Sequence, residues 1–214
     1  MEEKSDKILN FYNLFWIFIT GSFLGVFIET IYCFITRGYF ESRSGLIYGP
    51  FNLVYGFGIL ILTLVAYTFR KNNITIFIVG TILGAMFEYF CSWFQELLFG
   101  TISWRYDEGL FNFNGRINLT YAVFWGLLTL VWFKYIVNFV VKIINKVPKN
   151  ILKNATCIFG MFMIINVLMS YLAVNRMSQR RIEEYPKNKL ETFLDKKYND
   201  EYLKKIYPNM WYVN

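Results

Sequence analysis

The chain reads as an all-α integral membrane protein with five transmembrane helices. Spans 1–2 and 3–4 form a parallel internal repeat, and an amphipathic carboxyl-terminal tail follows. Three observations predict this class. The 214 residues are 56% hydrophobic and 21% aromatic but only 17% charged, and the charges are segregated where a soluble domain would interleave them. The apolar runs reach about 20 residues, matching the roughly 30 Å hydrocarbon core of a bilayer. Two motifs recur in the same order along the chain.

Span 1 covers roughly 10–36, and from Ile8 to Thr36 its only Asp, Glu, Lys or Arg is Glu29. It is too long for a signal-peptide core and no small-residue cleavage site follows, so it is expected to stay in the mature protein. Span 2 covers about 49–69. Span 3 covers 74–98, where Glu88 is the only charged residue from Ile74 to Gln95. Span 4 covers 117–140. Span 5, 154–174, is uncharged and Met-rich, and reads as a plain packing helix. The expected organisation is a duplicated four-helix membrane core at 1–145 (copies about 10–69 and 74–140), a fifth membrane helix at 146–174 and a polar, partly helical tail at 175–214. In the tail, Leu190, Phe193, Leu194, Tyr198 and Tyr202 follow helical spacing, which predicts one amphipathic helix lying on the membrane surface or on a partner. Arg176, Arg180 and Arg181 are placed to meet lipid headgroups.

The repeat pairs Gly21-x-x-Leu24-Gly25-x-x-x-Glu29 with Gly80-x-x-Leu83-Gly84-x-x-x-Glu88, at an offset of 59. It also pairs Gly49-x-x-Asn52-Leu53-x-Tyr55 with Gly115-x-x-Asn118-Leu119-x-Tyr121, at an offset of 66. An even number of crossings per copy gives both copies the same orientation, as in parallel-repeat transporters. Each G-x-x-x-G lets two helix backbones approach closely. Glu29 and Glu88 follow one turn later on nearly the same face, so both are expected to point inward. A carboxylate at a helix centre costs about 2.5–3.5 kcal/mol on insertion scales, and such groups line cavities or pair. The offset of 59 also places Arg37 opposite Glu96, which predicts a salt bridge between them across the pseudo-twofold axis.

The short segments on the amino-terminal side carry Lys4, Lys7, Arg70, Lys71, Lys142, Lys146, Lys149 and Lys153. The two loops on the other side carry Arg37, Arg43, Arg105 and Arg116. The positive-inside rule therefore predicts a multi-pass protein of the cell membrane with a cytoplasmic amino terminus. The opposite loops, dense in Gly, Asn, aromatics and Arg, supply candidates for a polar pocket. These are Arg43, Tyr48, Asn52, Tyr55, Trp104, Arg105, Asp107, Asn112, Arg116, Asn118 and Tyr121, to which Glu29, Glu88, Glu96 and Arg37 are added as candidate substrate-binding residues. Tyr48, Trp104 and Tyr106 also fit interfacial belt aromatics, and the asparagines also fit helix-bridging hydrogen bonds.

The chain has no histidine, which excludes His-based triads and the common His-containing zinc sites. Cys33, Cys91 and Cys157 are too few for a Cys₄ site and read as small buried hydrophobes. The tail mixes nine basic with six acidic residues, unlike a nucleic-acid arm. No catalytic residue, metal site or cofactor is assigned, and no G-x-x-x-x-G-K-[ST] phosphate loop is present.

The motifs G-x-x-x-E, "YGPFNLVYG", "FEYFCSWFQELLFG" and the W-x-Y…F-N-x-x-G-R-I-N-L run resemble the small bacterial membrane proteins of the ABC-transporter type IV, or CmpB-like permease, family over roughly residues 15–145. Family members often carry an acid after the tryptophan and a serine after the tyrosine. Here those positions hold Arg105 and Asp107. The resemblance implies a permease-like component, which would need a separate ATPase subunit as partner. The apolar spans make the lipid bilayer a partner, and a second copy of the chain is a further candidate partner.

Three functions fit these residues. The first is a transport component whose Glu-lined cavity binds a small polar or cationic solute. The second is an envelope structural or sensor protein in which the glutamates hold the bundle together. The third is an intramembrane enzyme using Glu29 and Glu88 as acid and base on a lipid-linked substrate.

Overall fold

The computed structural model describes residues 8–69, 72–106 and 111–213. In chain order these form α1 (Phe11–Arg37), α2 (Leu53–Thr68), α3 (Asn73–Phe99), β1 (Thr101–Ile102), α4 (Leu119–Ile144), α5 (Lys149–Arg181), α6 (Lys189–Lys197), α7 (Asp200–Ile206) and β2 (Trp211–Tyr212). One π-helical stretch, Trp132–Ile136, interrupts α4.

Asparagine starts nearly every helix. The side chains of Asn10, Asn52, Asn72, Asn118, Asn188 and Asn199 accept the N–H of Asn13, Val54, Thr75, Tyr121, Glu191 and Tyr202. Each cap satisfies an orphan donor of the first turn and contributes about 1 kcal/mol. α1 and α3 end on Gly38 (φ 79°) and Gly100 (φ 63°), the left-handed position that closes a helix with least strain in glycine.

Among the described residues four helices, α1, α3, α4 and α5, are long and apolar enough to cross a membrane. Large side chains such as Phe27, Ile31, Ile82, Phe139 and Ile165 are exposed along them, as a lipid-facing surface requires. α2 differs from the expected span at 49–69. It has 16 residues, rising about 24 Å, short of the ~30 Å core.

Glycines set the helix pairs. A Cβ on Gly25 would overlap the Tyr55 ring, one on Gly56 would strike Ser22, and one on Gly21 would come within 3.0 Å of Ile59. Rising numbers on α1 thus meet falling numbers on α2, so the two are antiparallel. α3 and α4 pack in the same manner: Gly84 faces Trp125, Gly80 faces Thr129 and Gly126 faces Thr81. Trp132, 2% exposed, joins the pairs by donating to Thr63 Oγ1 at 2.7 Å. The core at the amino-terminal end gathers Ile17, Ile59, Tyr67, Trp132, Val137 and Val140.

Residues 45–52, ahead of α2, enter the bundle. Leu46 is 2% exposed and packs with Ile19 and Met163. The backbone there is satisfied by side chains of α5: Ile47 N–H donates to Ser170 Oγ (2.9 Å), Tyr48 N–H to Asn166 Oδ1 (3.0 Å), and Asn166 Nδ2 to the Tyr48 carbonyl (2.7 Å). Asn52 N–H donates to the Ser22 carbonyl at 3.1 Å. Asn166 lies eight residues before Val174, the end of the α5 apolar run, hence about 12 Å below that end. Irregular backbone at such depth survives only when buried in protein with its hydrogen bonds filled. α5 is therefore more than a plain packing helix.

The tail differs from expectation as well. It forms two short helices instead of one, folded back on the molecule so that Leu194, Tyr198 and Leu203 pack on Ile47 and Ala173. Leu190, Phe193 and Tyr202 stay exposed. β2 pairs antiparallel with β1, Thr101 opposite Tyr212. Arg176 is 2% exposed and is clasped by Asp195 through Nε and Nη2, both at 2.9 Å. Arg180 bonds Asp195 at 2.6 Å and also Asp200, and Arg181 covers the Tyr212 ring at 4.2 Å. These arginines are engaged by the tail's own acids and rings, because Asp195 and Asp200 return to Arg176 and Arg180 along the α6–α7 turn and Tyr212 lies under Arg181.

Candidate functional site

Glu29 and Glu88 both face the interior, with unequal surroundings. Glu29 is partly buried and accepts a hydrogen bond from the Tyr55 hydroxyl of α2. Its cation is Arg43, whose Nη1 stands 3.6 Å away. Arg43 is itself held by Glu41 at 2.7 Å, and its carbonyl accepts from Asn52 Nδ2 at 3.2 Å. Glu41 takes Arg37 as well, at 2.9 Å.

Glu88 is 7% exposed. Its two oxygens accept from the Tyr106 hydroxyl at 2.5 Å and from Trp125 Nε1 at 3.2 Å. Among the described residues no cation pairs with it. Tyr106 descends from the α3–α4 connection and stacks on Tyr121, ring centroids 4.5 Å apart. Burial, with Glu88 alongside, pushes the Tyr106 phenol well above its ordinary value.

The predicted Arg37–Glu96 bridge does not form. Arg37 turns to Glu41, while Glu96 is taken by Arg116, whose Nη1 also donates to Ser92 Oγ at 3.1 Å. Arg116 lies over Tyr89 at 5.6 Å, and its carbonyl accepts from Trp104 Nε1 at 3.1 Å. The geometric reason is local: Arg37 meets Glu41 four residues along its own chain, and Arg116, just ahead of α4, reaches Glu96 near the end of α3.

The remaining described candidates make local contacts. Asn52 and Asn118 are helix caps. Arg105 runs alongside Gly115. Asn112 Oδ1 accepts from Gly115 N–H at 2.8 Å within the turn. The Tyr48 and Tyr198 hydroxyls share a hydrogen bond. Asp107 lies outside the described residues, as do Lys4, Lys7, Arg70 and Lys71. Two surface grooves, of about 340 and 560 Å³, lie at Phe15–Gly160 and at Arg181–Tyr212, away from both glutamates.

Sequence reasoning missed Glu41, Trp125 and Asn166, and gave Tyr106 only an interfacial role. One signal was available for Trp125. Tyr55-Gly56 and Trp125-Gly126 are both an aromatic residue followed by glycine, and both pairs face the partner helix.

A family model described as "Putative ABC-transporter type IV" matches residues 16–171. The chain belongs to this family. The CmpB-type match covers α1 to α4 and most of α5 and stops before the tail helices, and the four long apolar helices fit a multi-pass membrane protein. No curated protein and no solved structure matches the chain.

Proposed function

We propose that this CmpB-type chain is a permease-like transport component. In this reading a duplicated two-helix unit encloses a polar site built on Glu29 and Glu88, which takes a small polar or cationic solute. The observation that carries the reading is the interior pair of carboxylates, of which Glu88 has two donors and no cation among the described residues. An acid so placed costs several kcal/mol unless it serves a site or a network.

The duplication draws support from the matched contacts: Gly25 with Tyr55 and Gly84 with Trp125, Ser22 with Gly56 and Thr81 with Gly126. These contacts align Tyr55 with Trp125, an offset of 70, whereas the Asn52 and Asn118 caps align at 66. The second unit is thus slid by one helical turn. α2 with residues 45–52 is the fifth crossing. The exposed Lys142, Lys146, Lys149 and Lys153 mark the cytoplasmic end, where a separate ATPase subunit docks. Candidate ligand contacts are Glu29, Glu88, Tyr55, Arg43 and Tyr121, while Glu96, Arg37, Asn52, Trp104, Arg105, Arg116 and Asn118 shape the entrance.

The test is uptake of a panel of small organic cations into vesicles holding the protein with its ATPase. Glu29→Gln, Glu88→Gln and the double variant should keep the folded protein and lose uptake. Uptake at the unsubstituted rate in all three would sink the proposal. The structural or sensor reading is favoured by one observation, the filling of both Glu88 oxygens by Tyr106 and Trp125. It predicts that the same variants lose stability alone.

A further inference from the structure

We propose that the carboxyl-terminal segment, residues 182–213, is a lid over the intramembrane site, held closed on Glu29 by Asn209 acting through Glu41 and Arg43. This rests on the reading that Glu29 belongs to the solute site. The contacts run in one chain from tail to carboxylate. With its amide nitrogen toward Glu41, Asn209 donates to both Glu41 oxygens, at 3.2 and 3.1 Å, and accepts from Arg43. Glu41 fixes Arg43 at 2.7 Å, and Arg43 reaches Glu29 at 3.6 Å. The Arg43 side chain is 8% exposed, so the loop that carries it is covered by what lies beyond.

The attachment of this segment is mostly polar and short-ranged. It includes the two-residue β1–β2 ladder, the Val213 N–H to Gly100 carbonyl bond (3.0 Å), the arginine clasp on Asp195 and Asp200, the Tyr48–Tyr198 hydroxyl bond and Arg181 over the Tyr212 ring. Its apolar seat is confined to one cluster, with Leu194, Tyr198 and Leu203 buried and Ile206 and Tyr207 packed beside them. Tyr212 Oη on this segment and Arg43 Nε in the loop that Asn209 touches are buried with no hydrogen-bond partner among the described residues. Unfilled buried donors are rare in settled packing, and few apolar contacts with polar fastening describe a unit that opens locally. When the lid lifts, Glu41 and Arg43 lose the Asn209 brace. The guanidinium leaves Glu29, and a cationic solute takes its place. Arg43 is then a tethered stand-in for the solute.

The experiment uses the full chain with Cys33, Cys91 and Cys157 replaced by serine and with Ile102→Cys and Trp211→Cys added. These are facing positions of β1 and β2, so oxidation ties the lid shut. A water-soluble carbodiimide with an amine then labels accessible carboxyls, mapped by mass spectrometry, with the exposed Glu201 as reference. Labelling of Glu29 relative to Glu201 should fall on the order of tenfold on oxidation and return on reduction. Asn209→Ala without the cysteines should raise it. Equal labelling in the oxidised and reduced protein overturns the lid, and so does an unchanged value in Asn209→Ala, which stands as the test where the tied protein fails to fold. Labelling needs no transport. Uptake unchanged by the Glu29 and Glu88 substitutions, with redox-dependent labelling, therefore removes the solute site and leaves the lid standing, and Glu29-dependent uptake with constant labelling removes the lid alone.

Discussion

The indole N–H of Trp125 points at the Glu88 carboxylate from 3.2 Å, across the contact between α3 and α4. Phenylalanine at this position would keep most of the packing and remove the donor. Trp125→Phe is expected to cost about 1.5–3 kcal/mol, the range for a hydrogen bond to a charged group. In a Glu88→Gln background the same change should cost less, with a coupling of about 1 kcal/mol or more. Thermal unfolding of the four proteins in detergent measures it. Strictly additive losses would mean that the indole acts by packing alone.

The glycines make a sharper steric prediction. A methyl group on Gly84 would overlap Trp125, and one on Gly25 would overlap Tyr55. A retreating ring would also strain its hydrogen bond to the glutamate. Gly84→Ala and Gly25→Ala should each cost about 1–3 kcal/mol or more through overpacking. Gly160 on α5 is the control: the nearest atom to its added Cβ is a Phe15 ring carbon at 3.8 Å. Gly160→Ala should raise stability by up to about 1 kcal/mol through helix propensity. Equal losses at all three positions would show that the close approach at Gly25 and Gly84 is not what holds the pairs.

How far the sequence revealed this arrangement can be traced residue by residue. The membrane class followed from lone charges in long apolar runs, and the inward aim of Glu29 and Glu88 from their one-turn spacing beyond a G-x-x-x-G. Both are local periodicities. The entry of residues 45–52 was hidden because "YGPFNLVYG" is apolar enough to pass as part of a span. Only Gly49-Pro50 and the cap at Asn52 interrupt it, and its anchors, Asn166 and Ser170, lie more than a hundred residues away. The Arg37–Glu96 pairing failed for a related reason. Equivalence in a repeat says which positions correspond, while an ion pair forms with whichever carboxylate the loops bring nearest.

The tail has an acid-sensitive fastening. Asp195 lies outside the spanning helices, and the Arg176 hydrogen bonds, followed by those of Arg180, hold its carboxyl below the ordinary 3.8. A carboxyl depressed on folding contributes stability that is complete above its unfolded value of about 4 and is lost as pH falls through the lower folded value. Protection of α6 and α7 from hydrogen exchange, corrected for intrinsic rates, should therefore be constant from neutral pH to about 5 and decline below about 4. Asp195→Asn should lower it at neutral pH by about 3 kcal/mol, because Arg176 is left buried with weakened pairing, and should flatten the acid decline. A decline of undiminished size in Asp195→Asn would assign the titration to another group.

Glu96 and Arg116 offer a charge exchange. Their side chains are 32% and 17% exposed, so the pair is partly shielded from water, and it is tied into Ser92 and the Tyr89 ring. Arg116→Glu sets two carboxylates against each other, and Glu96→Arg sets two guanidiniums. Each single change is expected to cost about 2 kcal/mol. The double exchange should recover about half of the summed loss, short of all of it because the Ser92 bond and the stacking on Tyr89 are specific to arginine at position 116. Arg37→Glu combined with Glu96→Arg should recover nothing, since Arg37 is bound to Glu41. Thermal unfolding of the two sets separates the cases: rescue in the Arg37 set, with none in the Arg116 set, would restore the pairing across the axis and overturn the one described here.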